Sequence, residues 1–247
     1  NLSPEEKILR QKNLDLFYKS GFPTKQLEDW KFTDLNLILN KNFDTISNDV
    51  NFEPSNELEI IKNFEHNCIF LTNGKIISTS FDWEEKNKIL INDFNQKETT
   101  NLDTGNTLTL LNSALSSGGF SLEIAKNYKL KKPLVIYNYF SKNLKNKILN
   151  NKNSIKLNEG SELVLIDYSD GNTSGNFIKN TIEVVSIDKN AVLKNILIQD
   201  SKSNGHFYKY IKASLGNSSN YENYILSSGL KLNKIEMEIN LNKDISS

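Results

Sequence analysis

The first apolar positions of the chain recur at helical spacing. In "SPEEKILRQKNLDLFYKSG", Ile8, Leu9, Leu14, Leu16 and Phe17 follow Ser3 as an N-cap, Pro4 at the first helical position and Glu6 three residues after the cap. That combination predicts a helix of roughly four turns, ended by Gly21 and Pro23. The period then changes. "NCIFLTNGKII" carries two apolar runs joined at Asn73-Gly74, the dipeptide suited to the two positive φ angles of a type I′ turn, and predicts a hairpin.

Beyond residue 130 the alternation has period two. "KPLVIYNYF", "NSIKLNEGSELVLIDYS", "NFIKNTIEVVSIDKNAVLKNILIQD", "HFYKYIKASLGNSSNYENYILSSG" and "LKLNKIEMEINLNKDISS" read as short β-branched or aromatic strands with no helix among them. Their polar turns recur: the intervals from Asn158 to Asp188, Asp188 to Gly216 and Gly216 to Asn242 are 30, 28 and 26 residues. A nearly fixed interval is what stacked coils produce, each burying its apolar face on the next. Two strands per interval with tight turns predict a β-helix; a sandwich is the alternative, since antiparallel strands also alternate. The fold class expected is mainly β, with a small α/β N-terminal helical region over 1–104 and the first coils of a β-helix over 105–247.

Stacked coils place the turns near Asn158, Asp188, Gly216 and Asn242 along one edge. Inward ladders are then expected from Leu163, Leu165, Val192, Leu193, Ile196, Ile198, Tyr221, Tyr224, Leu226, Ile239 and Leu241, to within one residue of register, because a one-residue slip inverts the facing. An uncapped last coil would carry the largest exposed apolar patch and an unpaired strand edge, and so be the place where chains associate.

Composition narrows the function classes. The 247 residues suit one large or two small domains, and 30 basic against 30 acidic residues give a formal net charge of +0. No global field gathers phosphates or anionic lipid, which argues against nucleic-acid and membrane partners. The single cysteine, Cys68, excludes an intramolecular disulfide and any cluster or zinc site built from this chain's thiolates alone, and fits a reducing compartment. With no run of about 18 apolar residues and no signal peptide, a soluble cytoplasmic chain is expected.

Candidate chemistry is sparse. Cys68 lies two residues after His66, a spacing that puts both on one side of a strand, yet two ligands make a poor metal site and a buried thiol is the competing reading. His206, in "SNGHFYKY", is a lone histidine before an alternating strand. Asp167, Asp170, Asp188 and Asp200 are the acidic residues that a carbohydrate-active β-helix would need along one face. "SSGGF" at 116–120 has two glycines but no Lys-Ser/Thr, and no P-loop, G-x-G-x-x-G, H-E-x-x-H or G-x-S-x-G is present. Neither catalytic nor metal residues are assigned, and the chain is not expected to be an enzyme.

One N-terminal stretch is distinctive. "GFPTKQLEDWKFTDL" contains Gly21, Pro23, Thr24, Glu28, Trp30, Lys31, Phe32 and Thr33, and it resembles the signature near the N-terminus of the SufD branch of the SufB/SufD family, from the Suf iron-sulfur cluster assembly machinery. "IFLTNGKI", "LTLLNSALSSGGFSLEIAKNYKLKKPLVIYNYF" and "LNEGSELVLID" are similar to further family segments in the same order. The resemblance implies an N-terminal helical region beside a SufB/SufD-type β-helix, then a C-terminal helical domain, so the chain reads as a C-terminally truncated SufD subunit. It also implies a non-catalytic scaffold of the SufBCD complex, partnered by a SufB-like paralogue and a SufC-like ATPase, or by a second copy of itself. No cofactor is expected on this chain alone; the iron-sulfur cluster is assembled by the complex. Departures exist: "LKLNK" at 230–234 stands where some relatives have Arg-His-Asn. Within the signature, Trp30 and Phe32 are expected to anchor the segment by packing, and the adjacent Glu28 and Asp29 to serve surface or capping roles rather than a paired-carboxylate site. A carbohydrate-active β-helix and a purely structural solenoid remain the alternatives.

Overall fold

The computed structural model describes residues 3–48, 60–94, 106–141, 143–170, 175–200 and 204–242. Helix α1 (Pro4–Ser20) opens on the expected capping box. The Ser3 side chain accepts from the Glu6 amide, the Glu6 carboxylate accepts from the Ser3 amide, and Gly21 closes the helix at φ 69°. A single 3₁₀ turn (Glu28–Trp30) and α2 (Leu35–Asn42) follow, and α3 (Thr107–Leu115) comes later.

The strands are β1 (Asn67–Thr72), β2 (Lys75–Ser80), β3 (Ile89–Asp93), β4 (Phe120–Ile124), β5 (Leu134–Tyr139), β6 (Lys147–Leu157), β7 (Glu162–Asp170), β8 (Phe177–Ile187), β9 (Val192–Asp200), β10 (Gly205–Leu215), β11 (Asn220–Ser228) and β12 (Leu232–Leu241). From β5 onward the chain alternates between two six-stranded sheets, β11-β9-β7-β5-β1-β2 and β12-β10-β8-β6-β4-β3. The β1/β2 and β3/β4 pairs are antiparallel and all other strand pairs are parallel. This is a β-solenoid of about four coils and not a sandwich of antiparallel sheets. Residues on both sides of position 105 share the sheets, since β1 pairs with β5 and β3 with β4.

The recurring turns stack in the order the intervals predict. Asn158 N–H donates to Ile124 O at 3.2 Å, Asp188 to Leu157 O at 2.9 Å, Gly216 to Ile187 O at 2.7 Å and Asn242 to Leu215 O at 2.8 Å. Successive coil turns contain a left-handed residue: Asn127, Gly160, Asn190 and Ser218, with φ of 58°, 69°, 58° and 55°. Asn and Gly recur there because they tolerate that conformation. The Asn73-Gly74 hairpin is formed as well, at φ 51° and 84°.

The inward ladder needs correction in two strands. In β9 the buried inward residues include Leu193, Asn195, Leu197 and Gln199, while Val192, Ile196 and Ile198 face outward and are half-buried. Register carries this to β11, where Tyr221 stays inward but Tyr224 and Leu226, aligned with Ile196 and Ile198, point outward. The cause is that the inward side of β9 carries the polar Asn195 and Gln199 while the outward side carries the apolar Val192, Ile196 and Ile198. Alternation of polarity then points to the wrong face. Leu163 and Leu165 are buried as expected. Ile239 and Leu241 lie in register with the inward Ala213 and Leu215, yet Leu241 is 72% exposed because β12 is the last described strand of its sheet. With Tyr224, Leu226 and Met237, these side chains make the last described coil rich in exposed apolar groups.

The helices cover the outer face of the second sheet. Phe17, Trp30, Leu35, Leu39, Phe43, Leu108 and Leu111 pack on Ile148, Ile178, Ile182, Tyr208 and Tyr210. The buried Asn112 amide, inside "LLNSAL", donates to Asn151 O at 2.9 Å and to Asn180 O at 2.8 Å. It thereby fixes α3 against both β6 and β8.

Candidate functional site: a charged tier inside the coils

The inward residues change character along each coil. Beside the stacked turns they are apolar: Ile155 and Leu157 on β6, Val185 and Ile187 on β8, Ile211 and Ala213 on β10, with Leu163 and Leu193 facing them. Further from the turns the same columns become polar. Inward alternation on β8 continues through Glu183, Thr181 and Lys179, on β10 through Lys209, and on β7 through Asp167.

These charges meet in the interior. Lys209 Nζ lies 2.9 Å from Asp167 Oδ2 and 2.9 Å from Glu183 Oε2, with side-chain exposures of 8%, 11% and 3% for Lys209, Asp167 and Glu183. Asn138 Nδ2 donates to Asp167 Oδ1 at 2.6 Å. Lys179 Nζ sits 5.3 Å from the ring centroids of both Phe140 and Phe207, a cation held on aromatic faces. A void of about 10 Å³ lies among these residues, space for about one water molecule.

Electrostatics follows from that geometry. Burial works to raise the Asp167 pKa, but the Lys209 and Lys179 charges and the hydrogen bonds from Lys209 and Asn138 bring it below the usual range. Burial works to lower the Lys209 pKa, and Asp167 and Glu183 more than reverse it. Lys179 is pushed down to about 8, chiefly by burial, with Asp167 opposing. The tier is balanced, two cations against two carboxylates, in a closed interior. It orders facing strands and can hold a proton, and among the described residues it is enclosed by the coils.

The sequence-derived candidates lie elsewhere and are not brought together. Cys68 is on the outward side of β1, in a cluster with Phe70, Val135, Tyr137 and Tyr139. Burial, and then Asp82, push its thiol pKa up. Its neighbour His66 has Nδ1 at 2.9 Å from Phe64 O and Nε2 at 2.7 Å from the Tyr137 hydroxyl, so both ring nitrogens are engaged. His206 is buried on the outward side of β10, on the other sheet, edge-on to Phe43 at 5.4 Å, and burial is the main cause that lowers its pKa. Among the described residues no three His, Cys, Asp or Glu side chains gather as a metal site would need. Asp167 points into the interior and Asp188 sits in a stacked turn; the side chains of Asp170 and Asp200 lie outside the described residues.

Comparison with known families decides what this architecture belongs to. A model of the SufBD protein N-terminal region matches residues 4–136, and one described as the SUF system FeS cluster assembly SufBD core domain matches residues 139–247. The chain belongs to the SufB/SufD family. Among curated proteins no match is found.

In this SufB/SufD chain the N-terminal signature is a seating device. Gly21 caps α1 and Pro23 is buried. Thr24 O accepts from Leu27 N–H at 3.0 Å, and Trp30 O accepts from Thr33 N–H at 2.8 Å. Trp30 is buried against Tyr208 at 6.0 Å between centroids, and Lys234 Nζ stands 4.7 Å from its ring. Phe32 does not share that role: it is 90% exposed, with Lys31 5.2 Å from its ring. The tight turn after Trp30 aims the second aromatic at solvent, so one anchor is formed and not two. Glu28 pairs with Lys31, and the Asp29 carbonyl accepts from Lys234 at 2.8 Å. These are surface roles for the acidic pair.

Sequence reading missed Lys179, Glu183 and Lys209. A signal was present in "FIKNTIEVVSI", where Lys179, Thr181 and Glu183 share their side of the strand with Val185 and Ile187. Charged residues in phase with core residues mark a buried polar tier.

Proposed function

We propose that this chain acts as a SufD-like scaffold subunit in iron-sulfur cluster assembly, supplying architecture and not reaction chemistry. The observation that carries the reading is the state of its single thiol. Cys68 is buried in an apolar cluster with a raised pKa, whereas a cluster ligand must be an accessible thiolate. Iron and sulfide, the cargo of the family's chemistry, would then be held by thiolates of a SufB-like paralogue, and a SufC-like ATPase would supply nucleotide hydrolysis. β11 and β12 extend the solenoid with exposed apolar side chains, and whatever chain segment continues there can adopt the same parallel register. No helix among the described residues is long and apolar enough to cross a membrane, and we place the complex in the cytoplasm.

The test is anaerobic reconstitution with iron and sulfide, read by visible absorbance, on this chain alone and after co-expression with a SufB-like and a SufC-like subunit. The expected result is no stoichiometric cluster on the chain alone, and co-purification of the three subunits. A stoichiometric cluster on the isolated chain overturns the scaffold reading.

A further inference from the structure

Residues 60–66 run over the outer face of the first sheet before β1 begins, and few of their groups tie them down. Lys62, Asn63, Phe64 and Glu65 are exposed. Ile61 packs on the cluster of Cys68, Phe70, Val135, Tyr137 and Tyr139. Glu65 pairs with Lys132 at 2.6 Å, but in the open, where an ion pair holds little. The remaining attachment is His66, half-buried, its ring 4.8 Å from Phe64 and 5.9 Å from Tyr137 between centroids.

The hydrogen bonds there fix where the protons sit. The Phe64 carbonyl, 2.9 Å from His66 Nδ1, can only accept, so Nδ1 carries the proton of a neutral ring. Nε2 is then an acceptor, and the Tyr137 hydroxyl donates to it at 2.7 Å. The same hydroxyl oxygen accepts the Ile61 amide at 3.0 Å. One relay therefore runs from Ile61 N–H through the Tyr137 O–H to His66 and on to Phe64 O, closing the segment on itself. A neutral imidazole satisfies every link.

A second proton on His66 has no place in that relay. An imidazolium donates from both nitrogens, so Nε2–H would face the Tyr137 O–H across 2.7 Å. Burial raises the Tyr137 phenol, which keeps its proton. That proton would have to turn away from His66, yet Tyr137 is 0% exposed and water cannot take it up. The other titratable groups nearby do not compensate. Cys68 on β1 is held as a thiol by burial and by Asp82, Tyr168 on β7 stands edge-on to Tyr137 at 5.9 Å, and Glu65 is engaged by Lys132. Among the described residues no carboxylate lies within ion-pair distance of His66.

We propose that His66 is a proton-operated latch: neutral, it pins residues 60–66 over the outer face of the first sheet, and protonated, it lets the segment lift from Tyr137 and uncover Cys68. The device is independent of the scaffold role. Amide hydrogen exchange on the full chain, followed by NMR at about pH 7.5 and about pH 5.5 and divided at each pH by the rate of an unstructured peptide, reads the Ile61 N–H. Its protection should fall about fivefold or more at the lower pH, while the β8–β10 ladder keeps its own. Cys68 is probed in parallel with 4,4′-dithiodipyridine, its rate taken relative to that of the urea-unfolded chain at the same pH. Both thiols stay below their pKa over this range, so the ratio reports access and should rise by a similar factor. His66→Gln should remove both pH dependences. Tyr137→Phe keeps the ring but loses the hydroxyl; it should leave Ile61 poorly protected at both pH values, and serves if His66→Gln does not fold. Ile61 protection unchanged with pH, a fall shared by the β8–β10 ladder, or a pH response retained in both variants overturns the proposal.

Discussion

Inside the coils two neighbouring tiers fill the same space by different means. Beside the stacked turns, Ile155, Leu157, Val185, Ile187 and Leu193 are buried against one another, and one aliphatic side chain can replace another of similar volume with little penalty. A few residues away, Lys209 is held between Asp167 and Glu183 at 2.9 Å each. No member of that set can be exchanged alone. The apolar tier supplies stability through area removed from water, whereas the charged tier ties particular strands together, since Asp167, Glu183 and Lys209 come from β7, β8 and β10. The difference teaches that a solenoid with a repetitive backbone can still specify which coil lies beside which.

The largest effect is expected where a charge loses its partners. Lys209→Met leaves two buried carboxylates facing an apolar stem and should destabilise by about 3–5 kcal/mol in urea unfolding. Adding Glu183→Leu, which leaves Asp167 opposite Lys179, should recover most of that loss. If the double variant is no more stable than the single one, the tier does not act as a charge set. In the apolar tier, Leu157→Ala should lower stability by about 2–5 kcal/mol, with no such rescue from a second substitution across the coil.

Acid separates the tiers next. The folded pKa of Asp167 lies below its ordinary value, so its stabilisation is fully present above its unfolded pKa of about 3.9 and is lost as pH falls through the folded value. Between about pH 5 and pH 3 the melting temperature should therefore drop more steeply in the wild type than in Asp167→Asn. Equal slopes would remove Asp167 from the acid response. The smallest effect is at Thr181, whose buried hydroxyl has no hydrogen-bond partner among the described residues. Thr181→Val should leave stability unchanged or raise it by up to about 1 kcal/mol; a clear loss would mean that the hydroxyl is bridged through the adjoining void.

The same contrast decides what the sequence could reveal. Local signals are legible because their causes are local: Ser3, Pro4 and Glu6 start α1, Asn73-Gly74 turns the hairpin, and the polar turns at Asn158, Asp188, Gly216 and Asn242 stack as their spacing suggests. The facing of β9 and β11 is not, since polar Asn195 and Gln199 take inward positions while apolar Val192, Ile196 and Ile198 take outward ones, and a period-two reading then picks the wrong face. The charged tier is harder still, because Lys209 alone reads as a surface lysine; its burial depends on Asp167, 42 residues earlier. Trp30 and Phe32 illustrate the same limit at short range. Both are aromatic in one signature, and the turn between them alone decides that the first packs and the second faces water.

The parallel register has a mechanical corollary. In the later coils, β6, β8, β10 and β12 are bonded each to the next in sequence order, as are β7, β9 and β11. Tension applied along the stack therefore meets the hydrogen bonds of one inter-coil step at a time, over a spacing of about 4.8 Å. Tension applied across the stack, along the strands, meets all the bonds of a long ladder together. The β8–β10 ladder has paired residues from Gly205 with Phe177 to Leu215 with Ile187, so it resists shear along its whole length while its ends can peel. Such a body is stiff against sliding of one coil past another and compliant to opening at its terminal coil, an anisotropy that the topology itself imposes.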